Sequence, residues 1–293
     1  MNLPKAVCII NPISGTAAKN NIAKQLSDLH GKEFDMTICW TDYPKHGAKI
    51  AKEAAQAGVD YIIAVGGDGT VNEIGGAIAG SESALGIVPM GSGNGLARHL
   101  HVPMNDIGAI DVIRKKNCQY IDYGTANGHP FFCTCGVGFD AAVSEEVRKQ
   151  RKRGKLMYGR SMFKIFQNYV CENYKLTTTN EIFNGPAFTI TCANASQYGN
   201  NALIAPGADI QDGQMNVIIL RPLSPWEVPQ TTLQLFTGLL NLNPRYEQII
   251  ANRILIEREK SNVMHVDGDA IKTDKNVEIK VIPQGLKVIY GKP

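Results

Sequence analysis

A glycine-flanked aspartate separates an apolar run from a helix-forming run in Val65-Gly66-Gly67-Asp68-Gly69-Thr70-Val71-Asn72-Glu73. Glycines let a backbone approach a ligand closely, and the amides that open the following helix suit phosphate oxygens. Asp68 adds a carboxylate beside that cradle. A carboxylate among phosphates calls for a cation, so Mg²⁺ is expected with it. Thr70 and Glu73 also have the spacing of a T-x-x-E capping box, which would account for the helix start but not for three glycines around an aspartate. A second turn of this kind, Pro89-Met90-Gly91-Ser92-Gly93-Asn94-Gly95-Leu96-Ala97-Arg98, follows the next apolar run, and Asn11-Pro12-Ile13-Ser14-Gly15 follows the first one. In a parallel sheet, the carboxyl ends of neighbouring strands open into one crevice, so such turns line a common site. Ser14, Thr70, Ser92 and Asn94 would add side-chain hydrogen bonds around a polyphosphate. No G-x-x-x-x-G-K-[ST] occurs, which excludes a P-loop. The absence of G-x-G-x-x-G with an acidic residue about twenty positions on counts against a dinucleotide-dependent dehydrogenase.

Positioning these turns requires a βα alternation, and residues 1–122 show it. Ala6–Ile10, Met36–Trp40, Tyr61–Val65 and Leu85–Val88 read as strands. A first helix carries Ile22, Leu26 and Leu29 on one face. A second, Lys45–Ala57, carries Ile50, Ala54 and Ala57 and ends at Gly58 as C-cap. Asn105 can cap a third, bearing Ile107, Ile110 and Ile113. From residue 123 to 293 the texture changes to β-branched and aromatic runs broken by Gly, Asn and Pro. Phe131–Cys135, Ala187–Ala193, Met215–Leu220, Arg253–Glu257, Asn276–Ile282 and Leu286–Tyr290 read as strands of a mainly antiparallel sandwich. Helical insertions are expected near Met157–Glu172 and Pro225–Asn241.

With 293 residues, 44% hydrophobic and 19% charged, the chain is neither a disulfide-stapled miniprotein, a disordered polymer nor a coiled coil. No apolar run reaches the roughly 18 residues of a spanning helix. The first residues are too short an apolar stretch for a signal segment, so a cytoplasmic protein is expected. Seven scattered cysteines suit reduced thiols, and Cys133 with Cys135 reads as two side chains on one strand face rather than half a metal site. The net charge of +3 argues against nucleic acid as a partner. It is unevenly spread, −1 over residues 1–122 and +4 over 123–293, with the run Arg148–Lys155 most basic. With Phe163 and Phe166 beside it, that run is a candidate peripheral contact with an anionic inner membrane face.

Taken together, Asn11–Gly15, Gly66–Thr70 with Asn72 and Glu73, and Pro89–Arg98 resemble the nucleotide-site motifs of the diacylglycerol kinase catalytic-domain family, which includes bacterial lipid kinases and sphingosine kinases. Two late segments extend the resemblance in order, Ala205-Pro206-Gly207-Ala208-Asp209-Ile210-Gln211-Asp212-Gly213 and His265-Val266-Asp267-Gly268-Asp269. The resemblance implies an NAD kinase/phosphofructokinase-like α/β domain followed by a β-sandwich domain. It also implies phosphoryl transfer from ATP, with Mg²⁺, to a lipid hydroxyl.

The nucleotide would lie against Asn11, Ser14, Gly15, Thr41, Gly66, Gly67, Asp68, Gly69, Thr70, Asn72, Glu73, Gly91, Ser92 and Asn94. The proton acceptor implied is Asp267 or Asp269, with Asp267 narrowly preferred because its position matches the family's D-G-E segment unchanged. A structural Mg²⁺ is implied at Asp212, with Asp209 and Gln214 contributing backbone oxygens. Gly95 stands where many bacterial members have Asp, closer to the sphingosine-kinase form, which leaves diacylglycerol and a sphingoid base or ceramide open as acceptors. Phe131, Phe132, Phe139, Phe163 and Phe166 could line an acyl groove, although core packing suits most of them. Two rivals stand beside this reading, an NAD kinase, whose family shares G-G-D-G-T, and a non-catalytic lipid-binding protein. A homodimer stays open.

Overall fold

The computed structural model describes residues 3–13, 19–149, 162 and 165–292. Ser14, Gly15, Phe163, Arg151, Lys152, Arg153 and residues 157–161 and 164 of the expected helix near Met157–Glu172 lie outside the described residues, and Glu172 itself begins a strand. The chain forms two compact units, Met1–Ile121 with Gln284–Pro293, and Asp122–Pro283.

In the first unit the apolar runs form β1 (Lys5–Ile10), β2 (Asp35–Trp40), β3 (Tyr61–Gly66) and β4 (Ala84–Pro89). Helices α1 (Lys19–Ser27), α2 (His46–Gln56) and α3 (Asp68–Ile78) connect them, and α4 (Gly95–His99) and α5 (Asp106–Lys115) follow. The strands pair in parallel in the order β2-β1-β3-β4. Ile62, Ile63, Ala64 and Val65 are all fully buried, as expected of a strand covered on both faces. The first helix buries Ile22, Leu26 and, just beyond its end, Leu29, as the periodicity suggested, whereas α2 buries Ala51 and Ala54 with Ile50 half-buried and Ala57 exposed. Asn105 caps α5 by accepting from the Gly108 amide at 2.8 Å, but Ile107 points to solvent. The chain leaves β1 toward β2 and then crosses back to β3, so the direction of winding reverses between β1 and β3. Ligands of such sheets bind outside the carboxyl ends of the strands at that reversal.

The second unit is built from β5 (Cys118–Ala126), β6 (His129–Phe131), β7 (Thr134–Gly138), α6 (Phe139–Arg148), β8 (Glu172–Thr178), β9 (Ile182–Ala187) and β10 (Thr189–Ala193). After these come β11 (Met215–Leu220), α7 (Val228–Thr237), β12 (Tyr246–Ala251), β13 (Arg253–Arg258), β14 (Asn262–Val266), β15 (Asp269–Thr273) and β16 (Asn276–Ile289). Six strands form an antiparallel sheet in the order β12-β11-β10-β7-β14-β15. A second antiparallel layer runs from the early part of β16 through β13 and β8 to β9. Their inner faces share one core in which Val137, Ile190, Cys192 and Val217 meet Tyr174, Leu176, Ile256 and Ile279. Alternation along each strand places these residues inward.

The sequence assigned everything after residue 122 to the second domain, but the last residues return to the first unit. Asn276–Ile282 and Leu286–Tyr290 are one continuous strand, β16, whose end at Val288 pairs in parallel with Leu85 of β4. Leu286, Val288 and Ile289 are buried there, and the Gly291 amide donates to Leu100 O at 2.8 Å. Removing a buried Leu side chain costs about 2–5 kcal/mol. Leu286→Ala is therefore expected to destabilise the protein by that amount in urea denaturation, with melting of the first unit's helices as the spectroscopic signal.

Candidate active site

The turns after β1, β3 and β4 are joined to one another by hydrogen bonds. The Asn11 amide donates to Val65 O at 3.1 Å, and Asn11 Nδ2 donates to Thr70 Oγ1 at 3.0 Å. Asp68, at the start of α3, accepts the Asn94 amide on Oδ2 at 2.8 Å and the Gly95 amide on Oδ1 at 2.7 Å. Asn94 closes its own turn, accepting from the Gly91 amide at 2.9 Å and donating to Gly91 O at 2.8 Å, and it takes a left-handed backbone with φ 53°. Arg98 Nε donates to Gly93 O at 3.0 Å. Burial pushes the Asp68 carboxyl above the usual carboxylate range, against the opposing pull of the two amides and of Arg98.

This clamp gives the glycines a reason different from ligand access. A Cβ on Gly91 would lie 2.7 Å from Gly67 Cα and 2.8 Å from Asn94 Oδ1, and one on Gly93 would lie 2.7 Å from Asp68 Oδ2. A Cβ on Gly66 would strike the Thr70 side chain at 2.5 Å. The two turns pack backbone to backbone, which side chains would prevent. The expected capping box does not form. Thr70 is engaged by Asn11, while Glu73 Oε1 accepts the Ala48 amide at 3.0 Å and ties α3 to α2. Thr41 closes onto β1 through its amide, 3.0 Å from Ile10 O. Ser92 and Gly69 are exposed, and Asn72 is half-buried. Ser14 and Gly15 lie outside the described residues.

In the second unit, Asp267 and Gly268 form the two-residue turn between β14 and β15, with φ of 45° and 85° as a tight hairpin requires. The Asp267 carboxylate accepts three backbone amides, those of Phe132 at 2.9 Å, Cys133 at 2.8 Å and Thr134 at 3.0 Å. These bonds explain why the expected strand Phe131–Cys135 is interrupted. The amides of 132–134 turn to the carboxylate, and pairing resumes only at Thr134 in β7. Asp269 is exposed at the start of β15.

Asp209 and Asp212 each close their own turn, accepting the Gln211 amide at 2.9 Å and the Gln214 amide at 2.8 Å, and buried Asp122 accepts the Gly213 amide at 2.6 Å. Among the described residues, no three His, Cys, Asp or Glu side chains converge as a metal donor set.

Sequence reasoning missed a polar cluster of this unit. Asp140, in the first turn of α6, places Oδ2 3.0 Å from His265 Nε2, 2.9 Å from Thr191 Oγ1 and 3.1 Å from the Tyr198 hydroxyl. His265 is buried and its Nδ1 lacks a partner. Burial alone would raise the Asp140 carboxyl, but His265 and the hydroxyls around it hold it below the usual range. A signal was present: Gly138-Phe139-Asp140 repeats the strand-glycine-aspartate-helix pattern of Gly66-Gly67-Asp68. The aromatic residues near it serve packing: Phe139 stacks on Phe188, Tyr169 and Phe166 meet them edge to face, and Phe131 and Phe132 are fully buried.

Two expectations follow from this geometry. Asparagine at position 68 offers one acceptor oxygen and sets an NH₂ against a backbone donor. Asp68→Asn should thus cost about 1–3 kcal/mol of stability, measured by chemical denaturation, and Gly93→Ala should act in the same direction. Asp140 has a depressed pKa in the folded state, so its stabilisation is present above the unfolded carboxylate value of about 4 and is lost as pH falls through the lower folded value. The stability difference between wild type and Asp140→Asn should accordingly shrink as denaturation is repeated from neutral pH into that acid range.

Comparison with known proteins agrees with this architecture. Residues 5–126 match the model of the diacylglycerol kinase catalytic domain, and residues 133–290 match that of the YegS C-terminal NAD kinase beta sandwich-like domain. A Staphylococcus haemolyticus protein named diacylglycerol kinase is 28% identical over 86% of this chain and 76% of its own length. A Bacillus subtilis protein of the same name is 25% identical over 91% of this chain and 90% of its own. A solved Bacillus anthracis chain superimposes with a TM-score of 0.84 at 24% identity, covering 99% of this chain and 98% of that one, which speaks for the fold. The chain belongs to the diacylglycerol kinase catalytic-domain family and is a lipid kinase.

Proposed function

We propose that this lipid kinase transfers the γ-phosphoryl group of MgATP to the free hydroxyl of diacylglycerol. The observation that carries the nucleotide half is the Asp68 clamp, which holds two glycine turns together at the carboxyl ends of β3 and β4, beside the reversal in winding. Amides at such a helix start suit phosphate oxygens, and phosphoryl transfer asks the protein mainly for positioning and charge neutralisation. The acceptor half is supported by the relatives named diacylglycerol kinase, which match this chain over 86% and 91% of its length. In the proposed step the hydroxyl oxygen bonds to the γ-phosphorus, the bond to the β-bridging oxygen breaks and ADP leaves.

Asp267 accepts the hydroxyl proton in this reading. Three amides fix its carboxylate in one orientation, which suits a positioned base. Asp269, exposed beside it in sequence, is the alternative.

The test is transfer of labelled γ-phosphate, with Mg²⁺, to diacylglycerol, sphinganine, ceramide, monoacylglycerol and NAD⁺ in mixed micelles. Label on diacylglycerol is expected. Label on a sphingoid lipid would replace the acceptor, and label on NAD⁺ alone would replace the reading. General-base catalysis is typically worth about 10²–10⁴-fold, so Asp267→Asn should lower kcat by at least that lower figure, whereas Asp269→Asn should stay within about tenfold of wild type if Asp267 is the base.

A further inference from the structure

The segment from Pro225 to Pro244 carries one charged residue, Glu227, and shows large apolar side chains to solvent. Trp226 is 88% exposed, Leu233 65%, Phe236 52%, Leu239 49% and Leu242 67%. These are not the marks of a loosely attached helix. Beneath α7, Leu235 and Leu240 pack with Ile204, Ala205 and Ile218 on the outer face of the six-stranded sheet. The Leu203 amide donates to Leu235 O at 2.8 Å, and Asn243 Nδ2 donates to Thr231 Oγ1 and Gln234 Oε1 at 3.0 and 2.7 Å. Leu233 and Phe236, at i and i+3, share the opposite side of a helix that is held firmly in place.

The charges at its edges cancel locally. Glu227 pairs with Arg245 at 2.9 Å and also accepts from the Ser224 amide and hydroxyl, and Arg221 pairs with Glu247. What remains is an uncharged apolar face.

We infer that α7 and its flanking residues Trp226, Leu239 and Leu242 form the surface by which this enzyme rests on a lipid layer, seated at the boundary between headgroups and acyl chains. The inference rests on the lipid-kinase activity and not on diacylglycerol being the acceptor. Charge complementarity favours this occupant. Residues 228–244 carry no charge and match an acyl boundary, where tryptophan and phenylalanine side chains settle, whereas an acidic or basic protein partner would find nothing to pair with. Area argues against a second copy of the chain. A helix of this length is about 15 Å long and about 10 Å across, so its face offers on the order of 200 Å² against the about 800 Å² per partner of a stable interface.

The contact is apolar in origin, so it should depend little on salt or on anionic headgroups. It also differs from the basic run Arg148–Lys155, whose attraction would be electrostatic.

The experiment is co-sedimentation of the whole protein with phosphatidylcholine vesicles, with and without phosphatidylglycerol, at low and high salt. Wild type should bind both vesicle types with little salt dependence. The variant Trp226→Ala/Leu233→Ser/Phe236→Ser should lose about tenfold or more in partitioning, while keeping its thermal midpoint and its elution as a monomer. Because Trp226 lies before the helix and is almost wholly exposed, Trp226→Ala alone provides a second variant that spares the fold. In a Trp40→Phe background, the remaining Trp226 should shift its emission to the blue when vesicles are added. Unchanged vesicle binding by the triple variant overturns the inference, as does a wild-type dimer that the variant dissociates. Binding that requires anionic vesicles and disappears at high salt also overturns it. Vesicle binding lost in the variant while diacylglycerol takes no label would sustain this surface and overturn only the proposed acceptor.

Discussion

The first unit of this protein depends on one half-buried carboxylate that holds two backbone turns together. Asp68 accepts the amides of Asn94 and Gly95, and through them the loop after β4 is fixed to the helix that follows β3. Hydrogen bonds from amides to a charged acceptor are stronger than neutral ones, and leaving such a carboxylate buried without them would be costly. The sequence around the clamp follows from it. Glycine is needed at 67, 91 and 93 because the two turns touch through their main chains, and Asn94 must adopt a left-handed backbone while closing its own turn. Asn11 then ties the loop after β1 to Thr70, so the three turns are linked.

The same device organises the second unit on a larger scale. Asp267 gathers the amides of Phe132, Cys133 and Thr134, residues more than a hundred positions away in the chain, and in doing so sets the break between β6 and β7. Asp140 does the corresponding work between α6 and β14 through His265, with Thr191 and Tyr198 sharing the same oxygen. Each of these aspartates adjoins a glycine or lies two residues after one, where strand gives way to turn or helix and backbone donors come free. Carboxylates that look alike in a sequence thus differ in how the fold uses them. Asp269 is exposed at the start of β15, whereas Asp68 and Asp267 each accept backbone amides that fix a turn.

How much of this was legible in the sequence depends on the range of the interaction. The strands of the first unit and Met215–Leu220 were readable almost to the residue, because a continuous apolar run bounded by turn residues is a local signal. The Asn105 cap was readable for the same reason. Thr70 and Glu73 misled, since a spacing that can form a capping box offers equal opportunities to partners elsewhere, and Asn11 and Ala48 took them. The strand expected at Phe131–Cys135 was broken by an acceptor at 267, and the final strand was split at Pro283 although β16 passes through it. The pair of His265 and Asp140 spans 125 positions, and no periodicity reports that.

The glycines carry the sharpest lesson about inference from motifs. Three glycines around an aspartate suggest a backbone opened for a ligand, and the location of these turns at the carboxyl ends of β1, β3 and β4 agrees with that use. Yet Gly66, Gly67, Gly91 and Gly93 are each accounted for by contacts within the protein. The residue type therefore reports how tightly the turns must approach one another, and the placement at the reversal of winding reports what they face. The proposed phosphate binding rests on the second observation and does not need the first. The glycines therefore speak for the architecture of the turns, and their placement at the strand ends speaks for the use proposed for them.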